Sequence, residues 1–166
     1  MKKLYLALLA TAVIAAPAAA ADKLTVLQAN QLSVALRSLD GHIIVIKQNG
    51  QDATVMIPWE FNSAAVRLRI ANDLAIVDAA VKVSDDVRNT IFKEVTKKAG
   101  VTELRPGTPE RDDYDRQAAD LMAQPAAGTQ DLARIKASEL KLDRNEIPVS
   151  ILSALKPIFD DDVTPK

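Results

Sequence analysis

Cysteine is absent from this 166-residue chain, and histidine occurs once, at His42. Without cysteine, thiol catalysis and a disulfide framework are both excluded. Zinc and related metals are usually held by several His or Cys side chains, which argues against such a site here. A Ser-His-acid triad would have to use His42, but this residue starts a predicted strand and no Gly-x-Ser-x-Gly segment lies near it. We therefore interpret His42 as a half-buried strand-end residue, with a general base or a ligand as the alternative.

Glycine is also scarce, with five widely separated residues in the chain. Phosphate-binding loops need clustered glycines, so neither a P-loop nor a dinucleotide-binding fingerprint is present. Acidic residues are numerous, but the clusters at 112–115, 143–145 and 160–162 do not follow the spacing of a calcium loop, and we interpret them as solvated surface or helix caps. No spacing selects a pair of catalytic carboxylates. The sequence therefore predicts no catalytic residue, no metal and no cofactor.

The first 21 residues are typical of an export signal. Lys2 and Lys3 form a positive head, and residues 4–16 are apolar or small apart from one threonine. The alanines that follow are the small residues that signal peptidase accepts. The apolar run has about 13 residues whereas a membrane span needs roughly 20, so a cleaved leader is favoured over an anchor. We predict cleavage after Ala20 or Ala21 and a periplasmic or secreted mature protein without a stable membrane anchor.

The mature chain is mildly acidic. Removing Lys2 and Lys3 from the 21 basic residues leaves 19 against 22 acidic residues, a net charge near −3. This balance gives no electrostatic reason to expect nucleic acid or an anionic membrane as partner. About 145 residues suit one domain with its own core. We predict a single domain over residues 22–159 and a flexible tail over residues 160–166.

The mature chain opens with a predicted helix. Residues 24–39 carry apolar side chains at helical spacing. Thr25 is placed to cap this helix, and Gln28 is placed to complete a capping box. Asp40 and Gly41 end it, since Gly41 can take the left-handed conformation.

A β-hairpin is predicted next. Residues 42–47 and 53–57 are rich in β-branched side chains, and Asn49-Gly50 between them is the strongest short hairpin signal. Both faces carry apolar side chains, which is compatible with a hairpin covered on both sides. A two-residue turn sets three cross-strand pairs: Ile44–Val55, Ile46–Ala53 and Lys47–Asp52.

Residues 63–99 carry the longest helical signal. They fit either one helix of ten turns or two helices with a break near Ser84. No glycine or proline interrupts the segment, so we favour one helix ending at Gly100. Its stripe is predicted to pack on the hairpin and the terminal helices, with pairing to a second copy as the alternative. The apolar stripe consists of Val66, Ile70, Leu74, Val77, Val81, Val87, Ile91 and Val95.

The last third of the chain is less regular. Proline and glycine in residues 100–131 predict loops around a short helix at 110–122. Residues 132–142 fit one face of a helix, or residues 132–136 a short strand. Pro148 suits the first turn of a short C-terminal helix. The predicted fold class is α+β: a small antiparallel hairpin or three-stranded sheet packed on one long helix, with shorter N- and C-terminal helices.

Trp59 and Phe61 are the candidate partner-binding residues. They lie two positions apart, so on extended chain they share a face. Aromatic side chains are favoured at protein interfaces. The alternative is that they fill the junction between the hairpin and the long helix, because the chain contains only 4% aromatic residues.

The order of these elements, together with the segment from Leu140 to Leu155, resembles small uncharacterised proteins encoded by phages and prophages. The most distinctive part is Asn-x-Ile-Pro-x-Ser-x-Leu-x-Ala-Leu, from Asn145 to Leu155. The resemblance covers most of the mature chain. It implies no activity and no site residues, but it implies that residues 132–136 form a strand beside the hairpin.

Three functions are compatible with these observations. The missing catalytic and metal signatures favour a non-enzymatic exported protein that binds an unknown protein partner or assembles with itself. A carboxylate-dependent hydrolase of the envelope is the first alternative, and it requires two acidic residues converging in a cleft. An exported phage or prophage accessory protein is the second.

Overall fold

The computed structural model describes residues 23–48 and 50–160. The helices are α1 (Val26–Ser38), α2 (Ala64–Ala99), α3 (Pro109–Ala123) and α4 (Val149–Leu155), and the strands are β1 (His42–Gln48) and β2 (Gln51–Ile57). Short 3-10 turns occupy Thr129–Asp131, Ala137–Leu140 and Lys156–Ile158. The predicted α+β class is confirmed, with a two-stranded antiparallel hairpin and a long α2 that packs against shorter helices. The predicted leader at 1–21 and residues 161–166 of the predicted tail lie outside the described residues.

α1 begins where the sequence predicts. The Oγ1 of Thr25 accepts a hydrogen bond from the backbone N–H of Gln28 at 3.2 Å, and the Oε1 of Gln28 accepts one from the N–H of Thr25 at 2.9 Å. The predicted capping box is therefore confirmed. α1 contacts α2, α3 and α4, which makes it the central helix of the core. Its buried apolar side chains are Val26, Ala29, Leu32, Ala35 and Leu36.

α2 is a single helix of 36 residues, as favoured from the sequence. Ser84 does not break it, because the Ser84 hydroxyl donates to the carbonyl of Ala80 at 3.0 Å and is buried inside the fold. The helix ends at Gly100, which takes the left-handed conformation with φ +69°. The first half packs on α1, where Val66, Ile70 and Val77 are buried. In the described part of the chain, no helix is both long and apolar enough to cross a bilayer.

The second half of α2 packs against α3, which returns the chain to the core. Phe92 of α2 and Tyr114 of α3 meet edge to face, with ring centroids 6.0 Å apart. After α3, the N–H of Val26 donates to the carbonyl of Gln124 at 2.9 Å, and the N–H of Ala126 donates to that of Leu24 at 2.7 Å. These bonds join the start of the described chain to the end of α3.

Residues 132–136 do not add a strand to the hairpin. The N–H of Ile135 donates to the carbonyl of Ile158 at 2.8 Å, and the N–H of Asp160 donates to the carbonyl of Ile135 at 3.0 Å, which forms one isolated parallel bridge. The strand implied beside the hairpin is therefore wrong, and so is a helix over residues 132–142. The reason is the burial of Ile135, which is 1% exposed in the core. Its backbone pairs there with the segment around Phe159, so it cannot also pair with the hairpin.

Candidate functional site

The hairpin is fixed to the rest of the molecule at its base. Trp59, which follows β2, is 6% exposed and stacks on His42 with ring centroids 4.4 Å apart. Its Nε1–H donates to the carbonyl of Ser38 at the end of α1, at 3.0 Å. Gly41 has a φ of +159° rather than the predicted left-handed conformation, and α1 is capped by Leu39 instead. A Cβ on Gly41 would lie 2.4 Å from the carbonyl oxygen of Ile57, so only glycine allows this close approach of the two strand ends.

Beyond this base, the two strands form a surface that we call the hairpin arm (residues 42–48 and 50–57). The predicted register is confirmed, including Ile44 opposite Val55 and Lys47 opposite Asp52. Of the two turn residues, Gly50 is described, and Asn49 lies outside the described residues. In the described part of the chain both faces of the arm are largely exposed, with Ile44 half-buried, whereas the sequence is compatible with a hairpin covered on both sides. Its exposed aliphatic side chains are Ile43 at 65%, Val45 at 66% and Met56 at 59% on one face, and Ile46, Val55 and Ile57 at 38% on the other.

Among residues 23–48 and 50–160, nothing pairs with either edge of the hairpin arm. Within the described chain, β1 and β2 pair only with each other, and no backbone hydrogen bond joins them to another segment. The register runs without a bulge, neither strand contains proline, and charged side chains occur only near the turn, at Lys47 and Asp52. Bulges, prolines and inward charges are the features that normally protect an edge strand from pairing. The arm therefore combines two unprotected edges with two aliphatic faces.

Trp59 and Phe61 lie at the foot of the hairpin arm. Phe61 is half-buried, with the guanidinium carbon of Arg67 5.6 Å from its ring centroid. Both aromatic rings border a cavity of about 150 Å³ between the end of α1 and the start of α2. Trp59 contacts this chain's own residues, as expected for a side chain that fills the junction. Partner binding by Trp59 and Phe61 stays a prediction.

The best candidate for a binding surface is formed by the exposed aliphatic side chains of the hairpin arm. The sequence analysis does not identify these side chains as a site. The available signal was the apolar character of both hairpin faces. That pattern usually indicates a strand buried on both sides. Here the helices pack on one another instead, and the arm remains outside their core.

A second apolar surface lies between α1 and α4. It borders a groove of about 510 Å³ lined by Val34, Ala35, Ile151 and Ala154 among others. Val34 is 66% exposed, and Val149 at the start of α4 is 81% exposed. The groove has no free backbone edge, so it offers fewer directional contacts than the hairpin arm.

The described residues support a catalytic site less well than they support a binding surface. Among the described residues, no group of three or more His, Asp or Glu side chains could hold a metal ion. Glu110 and Asp113 border one cavity of about 380 Å³. The carboxylate of Asp113 already has partners within the chain, because it accepts hydrogen bonds from Arg116 and from Gln117. His42 is held by its stacking on Trp59 rather than by a carboxylate.

Asp73 is a buried carboxylate that the sequence analysis missed. It is 1% exposed on the inner face of α2, and its Oδ1 accepts a hydrogen bond from the N–H of Ala133 at 2.8 Å. Its Oδ2 is buried without a hydrogen-bond partner in the described structure. Burial raises the pKa of Asp73, against the smaller effects of the Ala133 bond and of Arg69. The hydrogen bond from Ala133 joins the 132–136 segment to α2, and burial disfavours the charged form of Asp73.

Replacing Asp73 with asparagine tests this interpretation. The pKa of Asp73 in the folded protein is higher than its reference value of 3.8, so the folded protein takes up this proton at a higher pH than the unfolded chain does. Acidification therefore stabilises the wild-type protein through this group. We expect the free energy of unfolding of wild type, relative to D73N, to rise as the pH falls from about 7 to about 4. Glu139 shifts in the opposite direction but is the same in both proteins. Urea unfolding at both pH values measures the difference, and a constant difference would contradict the burial effect.

No protein-family model, no curated protein and no solved structure matches this chain.

Proposed function

We propose that this chain is an exported, non-enzymatic binding or assembly protein that makes its contacts through the hairpin arm. The observation that supports the proposal is the arm's combination of aliphatic faces and free backbone edges. An isolated two-stranded hairpin is only marginally stable in water. Covering it would contribute roughly 25 cal/mol for each Å² of apolar surface removed from water, and pairing its edges would satisfy the open backbone groups.

A protein surface is a better partner for the hairpin arm than a bilayer. The turn end of the arm carries Lys47, Gln48, Gln51 and Asp52, which are all exposed. Inserting this end into hydrocarbon would strip water from two charges and two amides. The aliphatic side chains lie between this polar turn and the helical body, so a partner can cover them from the side without burying the turn.

The hydrolase alternative has less support. The cavity beside Glu110 and Asp113 is lined by these two carboxylates. Asp113 forms an ion pair with Arg116, so Glu110 alone of the two has no ion-pair partner in that cavity. A glycosidase-like mechanism needs both carboxyl groups available to the substrate.

Site-specific photocrosslinking in cells tests the proposal. A photoreactive amino acid is placed at Val45 or Met56 of the full chain, with Asn89 on the exposed side of α2 as the control position. We expect adducts from the two arm positions and none from position 89, because only the arm is predicted to be covered. Absence of arm-specific adducts would contradict the proposed function.

A further inference from the structure

We infer that the hairpin arm pairs with the same arm of a second copy, β1 against β1 in antiparallel orientation, about a two-fold axis at Val45. The result is a continuous four-stranded sheet in the order β2–β1–β1–β2. This pairing rests on the proposed function and names its partner as a second copy of this chain. Such an interface is isologous, so both copies contribute the same surface.

The composition of the two edges favours β1. Residues 43–46 are four consecutive β-branched side chains, which are the residues that pack best on a pleated surface. The first four residues of β2 instead are Gln51, Asp52, Ala53 and Thr54, which include no large aliphatic side chain. An antiparallel pair formed along β1 therefore juxtaposes more aliphatic surface than one formed along β2.

The backbone of β1 is oriented for this pairing. Gln48 and Gln51 are the register pair that closes the two-residue turn, and such a pair is hydrogen-bonded. Hydrogen-bonded and non-hydrogen-bonded pairs alternate along antiparallel strands, so Val45 and Thr54 form a non-hydrogen-bonded pair. The N–H and C=O of Val45 consequently point away from β2, as do those of Ile43 and Lys47. A second β1 strand can accept about six main-chain hydrogen bonds from these three residues and their symmetry mates.

A two-fold axis at Val45 also gives the longest overlap. β1 has seven residues, from His42 to Gln48, and Val45 is the middle one. An axis at Ile44 or Ile46 would leave residues of each strand unpaired. With the axis at Val45, Ile44 of one copy lies opposite Ile46 of the other, and no two like charges oppose each other, which is the favourable arrangement for cross-strand pairs.

The size of the contact sets the expected affinity. In this register the turn of each arm reaches the base of the other arm, beside a cavity of about 330 Å³ lined by His42, Trp59, Arg144 and Glu146. A specific interface buries at least about 1,000 Å², and a contact made of one strand edge and one turn belongs at the small end of that class. We therefore expect a reversible dimer with a dissociation constant in the micromolar range.

Disulfide trapping provides the first test, and the absence of cysteine makes it selective. Val45→Cys places two thiols on the two-fold axis, opposite each other at a spacing that a disulfide can bridge. Met56→Cys is the matched control, since Met56 is 59% exposed but lies on β2, the outer strand of the proposed sheet. In mature protein purified after export of the full chain, we expect V45C to form the disulfide-linked dimer about ten times faster than M56C. Equal rates, or faster trapping of M56C, would overturn the pairing.

Charge substitution provides the second test. Val45→Lys puts two ammonium groups on the two-fold axis, which should raise the dissociation constant about a hundredfold or more. Val34→Lys is the control, because Val34 is also 66% exposed but lies on α1. Light scattering measures the dimer and circular dichroism checks that both variants fold. A wild-type monomer at concentrations well above micromolar would sink the inference.

The two proposals fail in different ways. A crosslinked adduct at position 45 with twice the mass of the chain supports both of them. An adduct of another mass supports the proposed function and overturns the pairing with a second copy. Loss of all arm adducts overturns both.

Discussion

Replacing Asn145 with alanine is expected to destabilise the protein by about 3 kcal/mol. Asn145 is 5% exposed, and its side-chain amide Nδ2–H donates to the carbonyls of Glu60 and Leu140, both at 2.6 Å. Its Oδ1 accepts a hydrogen bond from the N–H of Glu60 at 3.1 Å. Alanine leaves these backbone groups without their partner in a buried position. Asn145 therefore joins the segment after the hairpin arm to the C-terminal part of the chain.

Two further variants make this prediction specific. Asn145→Asp has nearly the same shape, but its carboxylate cannot donate to two carbonyl oxygens and repels them. We expect N145D to destabilise the fold at pH 7 at least as strongly as N145A does. Asn89→Ala, on the exposed side of α2, should change the free energy of unfolding by less than about 0.5 kcal/mol. Urea unfolding followed by circular dichroism measures all three, and an N145A variant as stable as N89A would contradict the hydrogen-bonding role.

Gly41→Ala is the second substitution with a large expected effect, a loss of about 2 to 4 kcal/mol. The added Cβ would lie 2.4 Å from the oxygen of Ile57 and 2.9 Å from the Cα of Pro58. Both are backbone atoms at the end of β2, so neither can move aside by a change of rotamer. The base of the hairpin arm must open, and the stacking of His42 on Trp59 is lost with it.

Gly107→Ala is the matched control for the close approach. Gly107 has a φ of +78°, and a Cβ at this position would meet no atom within 4 Å. Its cost is therefore backbone strain alone, about 1 to 2 kcal/mol. Tryptophan fluorescence reports on the single Trp59 and distinguishes opening of the base from a uniform loss of stability. Equal effects of the two substitutions, with unchanged fluorescence, would show that the contact with Ile57 is unimportant.

Features that depend on neighbouring residues could be predicted from the sequence. The capping box of α1 requires only Thr25 and Gln28, three positions apart. The hairpin register follows from the position of its turn, and the continuity of α2 follows from the absence of glycine and proline. In each case the energetic preference lies within one element, so the rest of the chain could not override it.

Features that depend on distant residues could not be predicted in the same way. The buried positions of α2 include Asp73, to which the sequence analysis assigns no role. Its partner, the N–H of Ala133, is 60 residues away. A polar residue at a buried position of a helix was the available signal, because such a residue needs a hydrogen-bond partner.

The same limit applies to the candidate site. Trp59 and Phe61 are predicted to bind a partner because aromatic residues are common at interfaces, and both lie at the foot of the hairpin arm. The aliphatic residues of the arm are compatible, from the sequence, with a hairpin covered on both sides. Whether an apolar strand is covered depends on which elements pack on it, and among the described elements α1 packs chiefly on α2, α3 and α4. Composition cannot distinguish a covered hairpin from an uncovered one.

The unbroken length of α2 has a consequence for the reach of the molecule. With 36 residues and a rise of 1.5 Å per residue, the helix extends about 54 Å. One end starts beside the foot of the hairpin arm, and the other carries the turn into α3. The helix therefore works as a rigid spacer: anything that docks at its first turn is held about five nanometres from anything that docks at its last.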